Sequence, residues 1–365
     1  MANDGDEVAM ARLSRAEMQE NNRARVLTAA RAEFTERGYR DTKIDQIAER
    51  AELTRGAVYS NFPGKRALYF AVLAQVAAEA AEPEFPPTAR TTGQALADFA
   101  RAWLARLPMA LDDPHSTARL GRDLLPEIMA DERTRLPFAQ LTKLSAIVLG
   151  AGLEALAGTP GARMVRAAEV ALTMLYGAGQ LAAAAPGFGE PFAVVGACAQ
   201  LAGLDTEDRW QAAHLPYVAP ARPDGRPWTP PAGTDALRAE PVALTGDGVV
   251  AVLGLHRLGA VEEALRAAPA AGAVTLAVVT GAPAELGPLA RLVLTELRTG
   301  LRAALPGAAW PRLRIVPDES GVLAAAAGVP AVSDATESAV RIASGRIVAR
   351  ADGYGACHAA ASWAG

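Results

Sequence analysis

The stretch LTRGAVYSNFPGK, residues 53–65, sets a glycine near the start of a segment with the spacing of a two-turn helix and stops that segment with Pro-Gly. Glycine inside a helix costs about 1 kcal/mol relative to alanine, so Gly56 needs a reason beyond helix formation. Thr54 is placed to cap the helix. Val58 and Phe62 fall one turn apart on one side, Gly56 and Ser60 on the other, with Arg55 and Tyr59 along one flank and Asn61 along the opposite one. At 1.5 Å per residue RGAVYSNF runs about 12 Å, close to the width of a DNA major groove. A glycine on the outward face fits a phosphate backbone or base edge passing at close range.

The residues before this stretch extend the pattern. RARVLTAARAEFTERGY places Val26, Leu27, Ala30 and Phe34 on one helical face, and Gly38 ends that helix. TKIDQIAERA follows, with Thr42 as a cap and Ile44, Ile47 and Ala48 turned inward, and Glu52-Leu53 form a tight turn. Lys65 lies in the first turn of the next helix, where its ammonium and the free backbone amides can hold one phosphate together. Between Arg37 and Arg66 seven basic side chains stand against four acidic ones, although the whole chain has a net charge of −4.

FTERGYRDTKIDQIAERAELTRGAVYSNFPGKRAL resembles the tetracycline-repressor (TetR) family of bacterial transcription regulators. The likeness rests on the Gly-Tyr after the first helix, the Ile-Ala of the second, and the Tyr, Phe, Lys and Leu of the third and fourth. It implies that Thr42, Thr54, Arg55, Gly56, Tyr59, Ser60, Asn61 and Lys65 form the DNA-binding set. Ser60 and Asn61 replace the commoner aromatic-histidine pair, which bears on base preference rather than on docking. The plainer alternatives are Tyr59 as a core residue and Lys65 as a solvated charge. The family also implies a homodimer, a palindromic double-stranded DNA operator, and a repressor role relieved by an unknown small-molecule effector.

At 365 residues the chain is long enough for two or three domains. Residues 1–20 read as a mobile arm without the apolar core of a signal peptide, 21–82 as the helix-turn-helix domain, and 83–213 as an all-α effector and dimerisation domain. Residues 214–236 read as a proline-rich linker, since six prolines fall between Pro216 and Pro231. The other reading of that linker is an ordered strap anchored by Tyr217 and Trp228. The longest apolar runs reach about half of the roughly 20 residues a membrane span needs, so no membrane partner is expected. Two widely separated cysteines, Cys198 and Cys357, argue for a cytoplasmic protein without a disulfide framework.

In the helical middle the larger apolar residues Trp103, Met109, Leu124, Met129, Phe138, Met174 and Tyr176 are the candidate ligand pocket, each with plain core packing as its alternative. The segments 163–185 and 191–204 are the candidate dimer helices, where Gly177, Gly179 and many alanines permit close approach; an ordinary buried pair is the alternative. Both lie before Trp210, so residues 22–210 are expected to dimerise by themselves.

After the linker the period changes. GVVAVLGL, GAVTLAVVTG and LRIVPD are short strands, each followed by a helical segment; VRIASGRIVAR reads as a hairpin and ACHAAASWAG as a closing helix. Residues 237–365 therefore form an α/β domain whose order is similar to a thioredoxin-like fold. No cysteine occupies GLHRLGAVEEAL, where that chemistry needs one, so the domain is expected to be redox-inactive. Gly254 to Val261 has the glycine spacing of a phosphate loop, but Ala260 and Val261 replace its Lys and Ser/Thr, and the GDG at Gly246 precedes its strand. His256 and His358 read as surface or core histidines, with a ligand role as the alternative. No catalytic residue, metal or cofactor is expected; the alternative is a regulator whose α/β domain has enzymatic or protein-docking activity.

Overall fold

The computed structural model describes residues 15–79, 86–107, 117–159, 161–211, 215–269 and 272–364. Helices α1 (Arg15–Asp41), α2 (Ile44–Arg50), α3 (Arg55–Asn61) and α4 (Lys65–Ala78) form the N-terminal unit. Gly38, at φ 77°, kinks α1 near its end and turns the chain towards α2. The arm expected over residues 1–20 is corrected in its last part, because α1 already begins at Arg15; the rest of that arm lies outside the described residues.

The helical body follows with α5 (Thr92–Leu104), α6 (Leu124–Met129), α7 (Glu132–Ala157), α8 (Val165–Ala184) and α9 (Pro191–Gln200). By length and composition α7 is apolar enough to cross a bilayer, yet most of its apolar stretch is buried inside the protein. Leu141, Leu144, Ile147, Leu149 and Leu153 are all fully inaccessible, as expected of a core helix.

The linker expectation is overturned: residues 215–236 are an ordered strap. Its short strand β1 (Arg222–Pro223) joins the edge of a sheet, and Trp228 is 5% exposed with its indole N–H donating to the Leu244 carbonyl at 2.7 Å. Proline suits this position because an edge strand can spare N–H donors. Tyr217, the other expected anchor, is exposed. Strands β2 (Gly233–Asp235) and β3 (Glu240–Val242) pair antiparallel in a separate two-stranded sheet.

The main sheet is completed by β4 (Gly248–Gly254), β5 (Ala273–Val279), β6 (Leu313–Pro317), β7 (Glu337–Ala343) and β8 (Arg346–Asp352), in the order β1-β8-β7-β4-β5-β6. Strands β4, β5 and β6 run parallel, and β7 and β8 are antiparallel to their neighbours. Between and after the strands lie α10 (Val261–Ala267), α11 (Pro283–Ala304), α12 (Val322–Ala326) and α13 (Ala356–Ala361). Residues of β4 alternate between two cores: Val249, Ala251 and Leu253 face one, Val250 and Val252 the other. Burial on both faces explains why these strands read as unbroken apolar runs.

The α/β region is not a separate module. Helix α11 leaves the sheet and packs against α4, α5 and α7, burying Leu286, Leu289, Leu292, Val293, Leu297 and Leu301 in one core that runs from Val26 to Ala361. A Cβ on Gly300 would overlap the Phe99 ring, so the α11 backbone touches α5 directly. Ion pairs reinforce the junction: Arg163 to Glu262 at 2.6 Å and Arg266 to Glu154 at 2.9 Å. Both thiols are fully buried, and burial pushes Cys198 up to about 11 and Cys357 well above the ordinary thiol value. Neither is poised as a thiolate nucleophile.

Candidate nucleic-acid interface

Val58 of α3 and Phe62, its C-cap, 1% and 2% exposed, pack into the core formed by α1, α2 and α4. Thr54 caps the helix, its Oγ1 accepting from the Ala57 N–H at 3.2 Å. The opposite face is open: Thr54, Arg55, Gly56, Tyr59 and Ser60 are exposed and Asn61 is half-buried. A Cβ on Gly56 would meet only Thr54 Oγ1, at 3.8 Å. Nothing among the described residues forbids a side chain there.

The polar groups of that face are held in place. The Arg55 guanidinium lies over the Tyr59 ring at 5.6 Å and 3.4 Å from the Asp45 carboxylate. Ser60 Oγ and Asn61 Nδ2 both donate to the Ala57 carbonyl, at 2.9 and 2.8 Å. Asn61 Oδ1 is left as an acceptor, while Arg55 keeps most of its guanidinium surface in solvent.

Two expected contact residues are placed differently. Thr42 is 1% exposed, and its hydroxyl donates to the carbonyls of Gly38 and Glu33 at 2.7 and 3.0 Å, locking the kink after α1. Lys65 donates from Nζ to the carbonyls of Tyr39 at 2.7 Å, Thr42 at 2.9 Å and Arg40 at 3.3 Å, and it sits over the Tyr39 ring at 4.3 Å. Burial lowers its pKa, against the opposing pull of Glu127 and Asp123. This lysine satisfies the carbonyls ending α1 instead of presenting a free ammonium, because a helix end leaves them without intrahelical partners. Lys65→Ala is expected to destabilise the N-terminal unit by about 1–3 kcal/mol. The salt slope of DNA binding should stay at its wild-type value, whereas a slope lower by about one would return Lys65 to the phosphate.

The basic balance is also thinner than its count. Arg50 pairs with Glu36 at 2.6 Å and with the buried Glu33 at 2.9 Å, Arg37 with Glu33 at 2.8 Å, and Arg66 with Asp131 at 2.6 Å. Arg40 and Lys43, before α2, are exposed with no ion pair among the described residues. Sequence reasoning counted both without ranking them; their position between the Gly38 kink and α2 was the available signal.

Residues 26–72 match the family described as bacterial regulatory proteins, tetR family. The HTH-type transcriptional regulator SrpR of Pseudomonas putida is 38% identical over 107 residues, which cover 29% of this chain and 46% of SrpR. TtgW, also of P. putida and described as an uncharacterized HTH-type transcriptional regulator, is 38% identical over 107 residues covering 29% of this chain and 72% of TtgW. The chain belongs to the TetR family. The match spans about half the length of SrpR and nearly three quarters of TtgW. Among solved structures, a TetR regulator from Rhodococcus sp. RHA1 has 17% identity, covers 51% of this chain and 95% of its own, and has a TM-score of 0.33. NalD of Pseudomonas aeruginosa has 22% identity, covers 49% and 93%, and has a TM-score of 0.30.

The expected ligand residues of this TetR-family chain divide into groups. Trp103, Leu124 and Tyr176 line one cavity, where Tyr176 meets the rings of Trp103 and Phe138 edge-on at 4.9 and 5.5 Å. Phe138 backs that cluster and does not line the cavity. Met174 borders a separate groove of about 380 Å³ between α8 and α9. Met129 is 66% exposed and lines neither of these two. Met109 lies outside the described residues.

Proposed function

We propose that this chain is a dimeric transcriptional regulator whose α3 enters the DNA major groove, reading bases with Arg55, Tyr59, Ser60 and Asn61. Arg40 and Lys43 hold flanking phosphates. The open space over Gly56 is the observation that carries this reading, since DNA is the partner that a short, outward-facing, glycine-bearing helix on a helix-turn-helix fits. Dimerisation through α8 and α9 is supported by the apolar surface there: Val170, Leu181, Phe188 and Phe192 are 41%, 49%, 76% and 77% exposed, and Leu181 and Phe188 line the 380 Å³ groove. A homodimer of this kind reads a palindrome, with half-sites about 34–36 Å apart or a multiple of that.

The regulator acts in the cytoplasm as a repressor released by a small molecule bound in the helical body, in keeping with relatives described as transcriptional regulators. The C-terminal region serves as a non-catalytic, thioredoxin-like support. Its parallel β4–β5 pair, antiparallel β7–β8 hairpin and closing α13 favour that fold, and its buried thiols favour the loss of its chemistry.

Selection of bound sequences from a random DNA pool with the full chain tests the reading. Enrichment of an inverted repeat, lost in an Arg55→Ala, Tyr59→Ala double variant that melts like the parent, is expected. Absence of any enriched sequence, or an unaffected double variant, would overturn it.

A further inference from the structure

The cavity lined by Trp103 and Tyr176 has a volume of about 100 Å³ and lies among α5, α6, α8 and α11. Its remaining walls are mainly leucine side chains, including Leu107, Leu124 and Leu175, with two glycines, the Gln180 amide and three charged groups: Arg106, Arg122 and Glu296. Arg106 Nη1 is 3.8 Å from the Glu296 carboxylate, too far for a hydrogen bond, and its guanidinium rests on the Trp103 ring at 5.0 Å. Arg106 Nε and Nη1 and Arg122 Nε are buried without a hydrogen-bond partner among the described residues. The cavity thus offers unmet donors and an excess of one positive charge inside an apolar wall.

We propose that this cavity binds a small apolar monocarboxylate, held by Arg106 and Arg122 and bridging the helical body to α11. The proposal rests on the effector-responsive reading given above and names the ligand class. Buried donors without partners are costly, and a carboxylate presents two oxygens suited to guanidinium N–H groups. Its hydrocarbon part takes the leucine wall. A closed cavity of roughly 150 Å³ holds benzene, so this smaller one, which is open on one side, takes the carboxylate and the first carbons of a short branched tail whose end lies in the mouth. An ammonium ligand would add a third positive charge beside a single acid. Burial raises the Glu296 carboxyl pKa against the pull of Arg106, which limits its repulsion of a bound carboxylate.

The position of Glu296 gives occupancy a route to the DNA-reading unit. Glu296 sits on α11, the helix that packs along α4, and Glu285 near the start of α11 lies 3.9 Å from Arg133, which also pairs with Asp131, the partner of Arg66 at the start of α4. A ligand pressing on α11 therefore acts on α4, the helix that directly follows α3 and packs against α1, on which α3 rests.

Three probes of similar size and different charge decide the matter, added to the full chain without DNA and followed by calorimetry and thermal melting: isovalerate, isovaleramide and isoamylamine. Isovalerate should bind at least tenfold tighter than isovaleramide, and isoamylamine should not bind. Arg106→Gln and Arg122→Gln should each weaken isovalerate at least tenfold while Glu296→Gln leaves it equal or tighter; Arg106→Lys serves if Arg106→Gln does not fold. Tighter binding of isoamylamine, equal binding of all three probes, or no binding to a cooperatively folded chain would overturn the proposal. Because no DNA is present, isovalerate binding alongside failed operator selection would sink the proposed function and leave this site standing, and the reverse result would do the opposite.

Discussion

A chain cut after Trp210 will fail to fold as a stable dimer, although it keeps every helix of the N-terminal unit and helical body. Removing α11 strips α4, α5 and α7 of Leu286, Leu289, Leu292, Val293, Leu297 and Leu301, each 5% exposed or less in the full chain. At roughly 1.5–3 kcal/mol per buried aliphatic side chain, six such losses amount to about 9–18 kcal/mol, as large as the whole stability of a typical domain. The cut chain should show no cooperative melting transition and should sediment as aggregate. A milder form of the same test is Gly300→Val, which drives a side chain into the Phe99 ring and should cost about 1–3 kcal/mol or more. A well-folded dimer of residues 15–210 melting near the full chain would show that the α11 contact is dispensable.

Gly56→Gln should separate folding from DNA binding. The position is exposed, and a Cβ there meets only Thr54 Oγ1 at 3.8 Å, so the fold has room for the side chain. Replacing glycine within a helix also removes a penalty of about 0.5–1 kcal/mol, so the melting temperature should hold or rise slightly. Affinity for the selected DNA should fall by about 10- to 100-fold, because the side chain occupies space that a base edge or phosphate needs. Gly56→Ala should give the same signs at smaller size. An unchanged affinity in Gly56→Gln would mean that this face of α3 does not meet DNA.

Local pattern carried the N-terminal unit and the succession of strands and helices from β4 onward. The Val58/Phe62 spacing, the Thr54 cap, the Gly38 break and the alternation of short apolar strands with helices are features of neighbouring residues, and the chain follows them. The outward set of Arg55, Gly56, Tyr59 and Ser60 was legible for the same reason: helical geometry fixes which residues share a face once the helix is known. The intramolecular partners of Thr42 and Lys65, the carbonyls of Glu33, Gly38, Tyr39 and Arg40, were not legible because they come together only after α1 kinks.

The helices, strands β4 to β8 and the exposed side of α3 thus follow from neighbouring residues alone. Tertiary structure alone decided that the proline-rich segment is a strap, that α11 completes the helical core, and that Arg106 and Glu296, 190 positions apart, share a cavity with Trp103 and Tyr176. Period and capping act over a few residues, whereas burial is set by which surfaces meet. The amphipathic face of α11 announces that it must be covered, and nothing in its own residues says whether the sheet or the helical body will cover it.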